Sequence, residues 1–430
     1  MKVCFVHYDS ASDVSGVSSW LQRLVPLLQS NRIEVKVHLM GYGGEPGVNY
    51  AFLRESGVPV RLISFQFHVP YAVRSLLHLL EEDQPDIYVP GGIIPAYYAA
   101  GYARRAGVAT VGVLHNDDPV YWGIIEEFIT GDPDFSVSAI VPVSRFLESE
   151  VSPMAAARSI GIRRIAYGVP IPAATAEFTN SVFRLVYVGR LVEEQKRISD
   201  VTAALCDVAE KISNVEAWIL GEGPARGRVE DIIREKAMGS RVRLLERVGT
   251  AQIYEALTQC HGLVLLSDYE GLPISVLESM AVGVVPICLD VRSGIREVVD
   301  HGVNGLVVKD RTSDFFDTVR DLCENPAKWR QLSLAARDTI QQRHSIEGCA
   351  RRWADLLEDL NGRRPERLVF RAPRMLRLPP PNPKFGVFGL RLPWKERLEE
   401  YVRATPPMYR MAKATMTIGR KVKGEVERWI

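Results

Sequence analysis

The sequence predicts an α/β protein of two parallel-sheet units that face each other across a cleft, followed by a basic helical tail. Three observations predict it. Short apolar runs without internal alternation recur along the chain, and stretches of helical apolar spacing separate them. Such runs mark strands of a parallel sheet covered on both faces. The pattern stops at Pro170-Ile171-Pro172-Ala173 and restarts near residue 180, and 430 residues are too many for one compact core. Beyond residue 362 the composition turns basic and proline-rich.

In the first unit, residues 3–6 read as a buried strand. Residues 17–28 follow as a helix with Val17, Trp20, Leu21, Leu24, Leu27 and Leu28 on one stripe. Residues 35–40, 60–63, 86–89, 110–114 and 139–143 are the further strands. The proline-rich stretch at 170–173 reads as a linker, since proline continues neither sheet nor helix. In the second unit, 183–188 is a strand and 198–212 a helix. Residues 215–220, 242–245, 262–266, 284–288 and 305–308 supply further strands. Residues 344–360 form a helix whose stripe includes Cys349, Trp353 and Leu357. Ligands of open α/β sheets bind beyond the carboxyl ends of the strands, so two facing units predict a deep cleft.

The net charge of +1 gives no reason to expect nucleic-acid binding. It hides a split. Residues 363–430 carry 17 Lys/Arg against 6 Asp/Glu, so the rest of the chain has a net charge of −10. Within the tail, Pro379-Pro380-Pro381-Asn382-Pro383 reads as a stiff spacer. After Pro406-Pro407, the positions Met408, Met411, Thr415, Ile418, Val422, Val426 and Trp429 recur at steps of three and four, with Arg410, Lys413, Arg420, Lys421, Lys423 and Arg428 mostly off that stripe. This basic amphipathic helix, residues 406–430, suits an anionic membrane surface, and equally packing on the acidic body or a second subunit. The six cysteines are scattered with no CxxC pair, which excludes a zinc knuckle and speaks for reduced, buried thiols. The N-terminal segment has no apolar signal core, and no run of 18 uncharged apolar residues occurs. The expected location is cytoplasmic, with peripheral membrane attachment if the tail provides it.

The chemistry is concentrated in Asp268-Tyr269-Glu270-Gly271-Leu272-Pro273 and the segment 274–281. Pro273 suits the first turn of a helix, and the amides of Gly271 and Leu272 then stand at a helix N-terminus, which attracts phosphate. Glu278 falls inside that helix, about 7 Å along its axis from Pro273. Glu270 stays at the strand end. Two acceptor-only carboxylates thus flank an anion site, the outline of a nucleoside-diphosphate sugar: ribose hydroxyls at Glu278, diphosphate at the amides, sugar hydroxyls at Glu270. Taken alone, two glutamates around a helix start read equally well as a capping pattern. Arg190 and Lys196 follow the strand 183–188 and add cations for a diphosphate leaving group. Gly221 and Gly223 mark a tight turn after the strand 215–220. His115 ends the strand 110–114 in the polar loop Asn116-Asp117-Asp118, where a histidine serves either as a structural hydrogen bonder or in catalysis. No His, Asp or Glu cluster has metal-ligand spacing. A dehydrogenase needs GxGxxG after its first strand, and Tyr8-Asp9-Ser10-Ala11-Ser12-Asp13-Val14-Ser15-Gly16 lacks it.

Together these stretches resemble the retaining glycosyltransferases of the GT-B fold, family 4, or glycosyl transferases group 1. The matching pieces are Tyr187-Val188-Gly189-Arg190 with Lys196, Ile219-Leu220-Gly221-Glu222-Gly223-Pro224, Glu270 with Glu278, and His301-Gly302-Val303-Asn304-Gly305-Leu306-Val307-Val308. Earlier pieces are Ser15-Gly16, His115, Pro142-Val143-Ser144 and Tyr167-Gly168-Val169-Pro170. The family loop usually carries two adjacent glycines; here Ser15 precedes Gly16. The resemblance implies a Rossmann-like acceptor domain over 1–172, a Rossmann-like nucleotide-sugar domain over 173–343 and a helix at 344–362 returning to the first domain; the tail at 363–430 lies outside it.

The resemblance also implies roles. Arg190 and Lys196 would hold the donor diphosphate, with main-chain contacts from Gly271, Leu272 and Pro273. Glu278 would bind the ribose, Glu270 would face the transferred sugar, Gly16 would let its loop approach the donor, and His115 would stand by the reacting sugar. The activity implied is transfer of a hexose, with retention, to a glycan or lipid-linked hydroxyl acceptor. It needs no cofactor and no metal, and a UDP-sugar is favoured over a GDP-sugar as donor. A nucleotide-sugar epimerase of the same fold and a non-catalytic nucleotide-sugar-binding protein are the alternatives.

Overall fold

The computed structural model describes residues 1–11, 15–41, 44–64, 68–178, 182–246, 249, 252–363, 369–380 and 382–388. The amphipathic segment 406–430 lies outside the described residues.

The first sheet comprises β1 (Lys2–Asp9), β2 (Glu34–Gly41), β3 (Val60–Ser64), β4 (Ile87–Val89), β5 (Ala109–Leu114), β6 (Ala139–Pro142) and β7 (Gly161–Ile162), in the order β3-β2-β1-β4-β5-β6-β7. The second comprises β8 (Phe183–Val188), β9 (Val215–Leu220), β10 (Val242–Leu245), β11 (Gly262–Leu265), β12 (Val285–Leu289) and β13 (Leu306–Val308), in the order β10-β9-β8-β11-β12-β13. Every pairing is parallel. Helices cover both faces, so Val3 to Val6 on β1 and Leu263 and Val264 on β11 are wholly buried. The edge strand β7 is absent from the sequence reading because two residues, paired at Ala139–Gly161 and Ile140–Ile162, make no apolar run.

Each sheet reverses its strand order once, between β1 and β4 in the first and between β8 and β11 in the second. Those reversals open the crevices in which such sheets bind ligands. Two chain segments cross between the units. They pair with each other: the Val169 N–H donates to His344 O at 2.9 Å, and the Ile346 N–H to Val169 O at 3.0 Å. The helix Ile346–Gly362 then leans on the first unit. The Trp353 ring lies 5.6 Å from Trp20 and 6.5 Å from Phe5. Ser345 starts that helix by accepting from the Gly348 N–H at 3.2 Å.

Residues 369–388, where described, run on along the first unit. Phe370 and Phe385 are buried there. Gln84 bonds both ways with the Phe370 backbone, at 2.9 and 3.0 Å, and Tyr102 Oη does the same with Arg377, at 2.8 Å each way. Lys384 pairs with Glu126, and the Phe385 ring stacks 6.1 Å from Phe128. This stretch is therefore a strap fixed to the first unit, where the sequence suggested only a spacer.

Candidate active site

The two crevices face each other and form one cleft of about 650 Å³, lined from both units. Such a volume suits a nucleotide-sized ligand.

Two helices point their N-termini into it. The first is Gly16–Ser30, capped by Ser15, whose Oγ accepts from the Ser18 N–H at 3.2 Å. The second is Ile274–Ala281, as the sequence reading placed it, with Pro273 at the N-cap instead of the first turn. The two ends nearly touch, since a Cβ on Gly16 would meet Ile274 Cδ1 at 3.4 Å. First-turn N–H groups and aligned peptide dipoles from both sides make the gap attractive to an anion.

Lys196 and Arg190, on the loop after β8, border the same gap. Lys196 Nζ pairs with Glu270, and the two side chains are 12% and 7% exposed. Glu270 also accepts from Gln195 Nε2 at 3.3 Å. Gln195 bonds Tyr269 O at 3.0 Å, and its Oε1 accepts from Arg190 Nη2 at 2.9 Å. One amide thus links the exposed arginine to the buried carboxylate. Arg190 closes the strand end β8 and Glu270 the strand end β11, so the pair straddles the reversal of the second sheet.

Across the cleft stands His115, directly after β5. Its Nδ1 bonds Tyr167 Oη, and Nε2 is buried with no hydrogen-bond partner among the described residues. Burial, with a lesser contribution from the nearby His7 charge, brings its pKa down to about 3, so the ring is neutral at neutral pH. Trp20, at 5.0 Å, and the stacked Tyr167, at 5.9 Å, hold the ring in place.

Glu278 projects from the second turn of Ile274–Ala281 and lines the cleft. Its partner is Arg23 of the first unit. Arg23 lies on the helix Gly16–Ser30 and is 8% exposed. Burial opposes its charge, but the Glu278 carboxylate outweighs that and keeps the guanidinium firmly protonated.

Of the sequence-predicted residues, Gly16, His115, Arg190, Lys196, Gly221, Glu270, Leu272, Pro273 and Glu278 line this cleft. Gly223 and Gly271 do not. A Cβ on Gly223 would meet Leu191 O at 2.4 Å, so that glycine lets one turn pack on another. A Cβ on Gly271 would meet His115 O at 2.1 Å, so Gly271 is where the two units press together. Sequence reasoning missed Gln195, Arg23 and Tyr254, and it quoted Tyr167 without giving it a role. Gln195 sits beside Lys196 and could have been found by asking what faces Glu270. Arg23 carried no local signal, because its contact spans 255 positions.

Among the described residues one group gathers metal-type ligands: Cys4, His38 and Asp83. It lies at the amino ends of the first sheet's strands, away from the cleft, since Asp83 ends the helix that precedes β4. Its donors already serve one another. His38 Nε2 is 2.7 Å from Asp83, Cys4 Sγ is 3.5 Å from His38 Nδ1, and Lys36 pairs with Asp83. Burial alone would raise the Asp83 carboxyl, yet the hydrogen bonds from His38 and Lys36 hold it at about 2. The group is a satisfied buried network.

Residues 176–339 match the protein family described as Glycosyl transferases group 1. Among curated relatives, the alpha-D-kanosaminyltransferase of Streptomyces kanamyceticus is 25% identical over 177 residues, 41% of this chain and 45% of that protein. The chain thus spans less than half the length of that relative. The lipopolysaccharide core biosynthesis glycosyltransferase LpsD of Rhizobium meliloti (strain 1021) is 21% identical over 370 residues, 83% of this chain and 98% of that protein. Among solved structures, Anabaena Alr3699/HepE in complex with UDP-glucose superposes with a TM-score of 0.68 at 16% identity, over 84% of this chain and all of that one. That likeness identifies the fold as GT-B.

Proposed function

We propose that the protein is a retaining, metal-independent glycosyltransferase that moves a hexose from a nucleoside-diphosphate sugar to a hydroxyl of a glycan or lipid-linked glycan. The observation that carries this reading is the Lys196–Glu270 pair beside the N-terminus of Ile274–Ala281, with Arg190 joined to it through Gln195 and His115 opposite. The domain match and the glycosyltransferase names of its relatives support it. HepE, solved with UDP-glucose, supports a UDP-sugar as the first donor to test, ahead of a GDP-sugar.

In this reading the diphosphate sits between the two helix ends. Arg190 and Lys196 stabilise the negative charge that grows on it as the anomeric C–O bond breaks, and their charge supports metal independence. The acceptor oxygen attacks the same face, and the leaving phosphate takes its proton. Glu270 already accepts hydrogen bonds from Lys196 and Gln195, and a carboxylate so occupied is a weak nucleophile. This favours front-side attack over a double displacement through Glu270. Glu270 then orients sugar hydroxyls, Glu278 takes ribose hydroxyls, and neutral His115 offers Nε2 to the reacting sugar. Contacts between the units, such as Arg292 to Glu150 at 2.8 Å and the Phe146 N–H to Glu297 at 3.0 Å, support a closed state that excludes water during transfer.

Among the described residues no helix is long and apolar enough to cross a membrane. Peripheral attachment through the basic segment 406–430 is the proposed route to a lipid-linked acceptor. A thermal-shift screen of UDP-, GDP- and ADP-sugars, followed by donor hydrolysis and product anomer analysis by NMR, tests the reading. A shift with one donor class and retained configuration support it. An epimerised nucleotide sugar formed without acceptor, or binding without turnover, overturns it.

A further inference from the structure

Glu278 and Arg23 come from different units, and their pairing has a consequence for donor recognition. Arg23 reaches Oε1 of Glu278, and among the described residues no hydrogen bond reaches Oε2. Glu278 lines the cleft and Arg23 does not, so the arginine stands behind the carboxylate and fixes it from the far side. A carboxylate this buried needs a cation to remain charged, and one held oxygen leaves the other free to accept from a ligand hydroxyl. The Arg23 guanidinium lies 5.9 Å from the Tyr254 ring of the second unit, which adds a second cross-cleft contact. Yet, among the described residues, Nε and Nη1 of Arg23 and Oη of Tyr254 are buried with no hydrogen-bond partner. Burying such groups unmet opposes the closed arrangement, so closure around this pair is weakly favoured until a ligand adds contacts.

We propose that Arg23 is a positioning residue that orients Glu278 for the donor ribose, so that ribose recognition is assembled only when the first unit closes on the second. This rests on the proposed donor site and extends it to a residue of the opposite unit. A two-part ribose site makes donor affinity report on closure, since Glu278 is free to turn away when Arg23 withdraws.

The test is calorimetric titration of the full chain with UDP and GDP and with their 2′,3′-dideoxy forms, for the wild type, Arg23→Ala, Arg23→Lys and Glu278→Gln. Loss of a charge-assisted contact predicts that Arg23→Ala weakens the normal nucleotide about tenfold or more. The dideoxy form, which offers no ribose hydroxyl, binds wild type and variant alike. Arg23→Lys, which keeps the charge without the planar fork, recovers part of the loss and serves if the alanine variant does not fold. Adding Arg23→Lys to Glu278→Gln brings no further loss, because both act through one contact. In turnover the Arg23 variants raise the donor KM by a larger factor than they lower kcat. Equal losses for the normal and dideoxy nucleotides, or wild-type affinity in both Arg23 variants, overturn the inference while leaving the donor site intact. A wild type that binds neither nucleotide overturns the proposed function, and this inference with it.

Discussion

Lys196 holds Glu270 across 74 positions of sequence, with both side chains almost wholly buried at the edge of the cleft. Each is the other's counter-charge, and removing one strands the other in a low-dielectric setting. Lys196→Ala lowers both turnover and stability, the latter by about 3 kcal/mol. Glu270→Gln keeps the shape and leaves a neutral acceptor for Lys196, so its main effect is on kcat, with a drop of about 100-fold. Steady-state kinetics and urea unfolding of both variants check this split.

Buried neutral histidines make the fold acid-sensitive. His115 has its pKa lowered to about 3 by burial and the His7 charge, and burial among rings lowers His261 to about 4. His261 Nδ1 accepts from the Arg184 N–H at 2.8 Å, which fixes its neutral tautomer. An unfolded histidine takes its proton near pH 6.5. Between that pH and the folded values the unfolded chain binds more protons, so stability is complete above about 6.5 and falls as pH drops. Each histidine contributes at most about 1.4 kcal/mol per pH unit. Urea unfolding at pH 7.5, 6 and 5 is expected to show a steady decline; a flat profile contradicts it.

Gly271 sets how closely the units approach. Its Cβ position is occupied by the His115 carbonyl, and the Gly294 N–H donates to Gly271 O at 2.8 Å on the other side. Gly271→Ala therefore holds the cleft ajar. Small-angle scattering with donor bound is expected to show a larger radius of gyration than the wild type, and kcat to fall at least tenfold.

The strap and the segment beyond it are separable. Phe385→Ala empties a buried ring site beside Phe128 and costs about 3 kcal/mol, read as a lower Tm. Truncation after residue 388 keeps that anchor. The full chain is expected to co-sediment with anionic liposomes and the 1–388 form to stay in the supernatant. Equal partition of the two removes the membrane proposal.

Much of the fold was legible because buried parallel strands leave mostly apolar runs such as 183–188 and 215–220, bounded by turn residues and spaced by helical patterns, and both appear with those bounds. The second half of the cleft was legible for a related reason. Glu270, Pro273 and Glu278 lie within nine positions, so local helix geometry sets their spacing, while their roles came from the family resemblance. What stayed hidden is what only tertiary closure creates. Arg23 reaches Glu278 from another unit, Gly271 meets the His115 carbonyl instead of a ligand, and Cys4, His38 and Asp83 meet through three separate elements. The strap was hidden too, since Phe370 and Phe385 fall in short apolar pieces, Leu368-Val369-Phe370 and Phe385-Gly386-Val387-Phe388, that show no periodicity in a proline-rich stretch.

In the proposed function, the gap between the two helix ends, with Arg190 and Lys196, holds a nucleoside diphosphate. Isothermal titration of UDP and GDP into the wild type and into Arg190→Ala is the most direct measurement, because Arg190 is exposed and its removal leaves no buried charge. Saturable one-site binding by the wild type and at least tenfold weaker binding by the variant are expected. Equal affinity in both proteins, or heat of binding in neither, contradicts this reading.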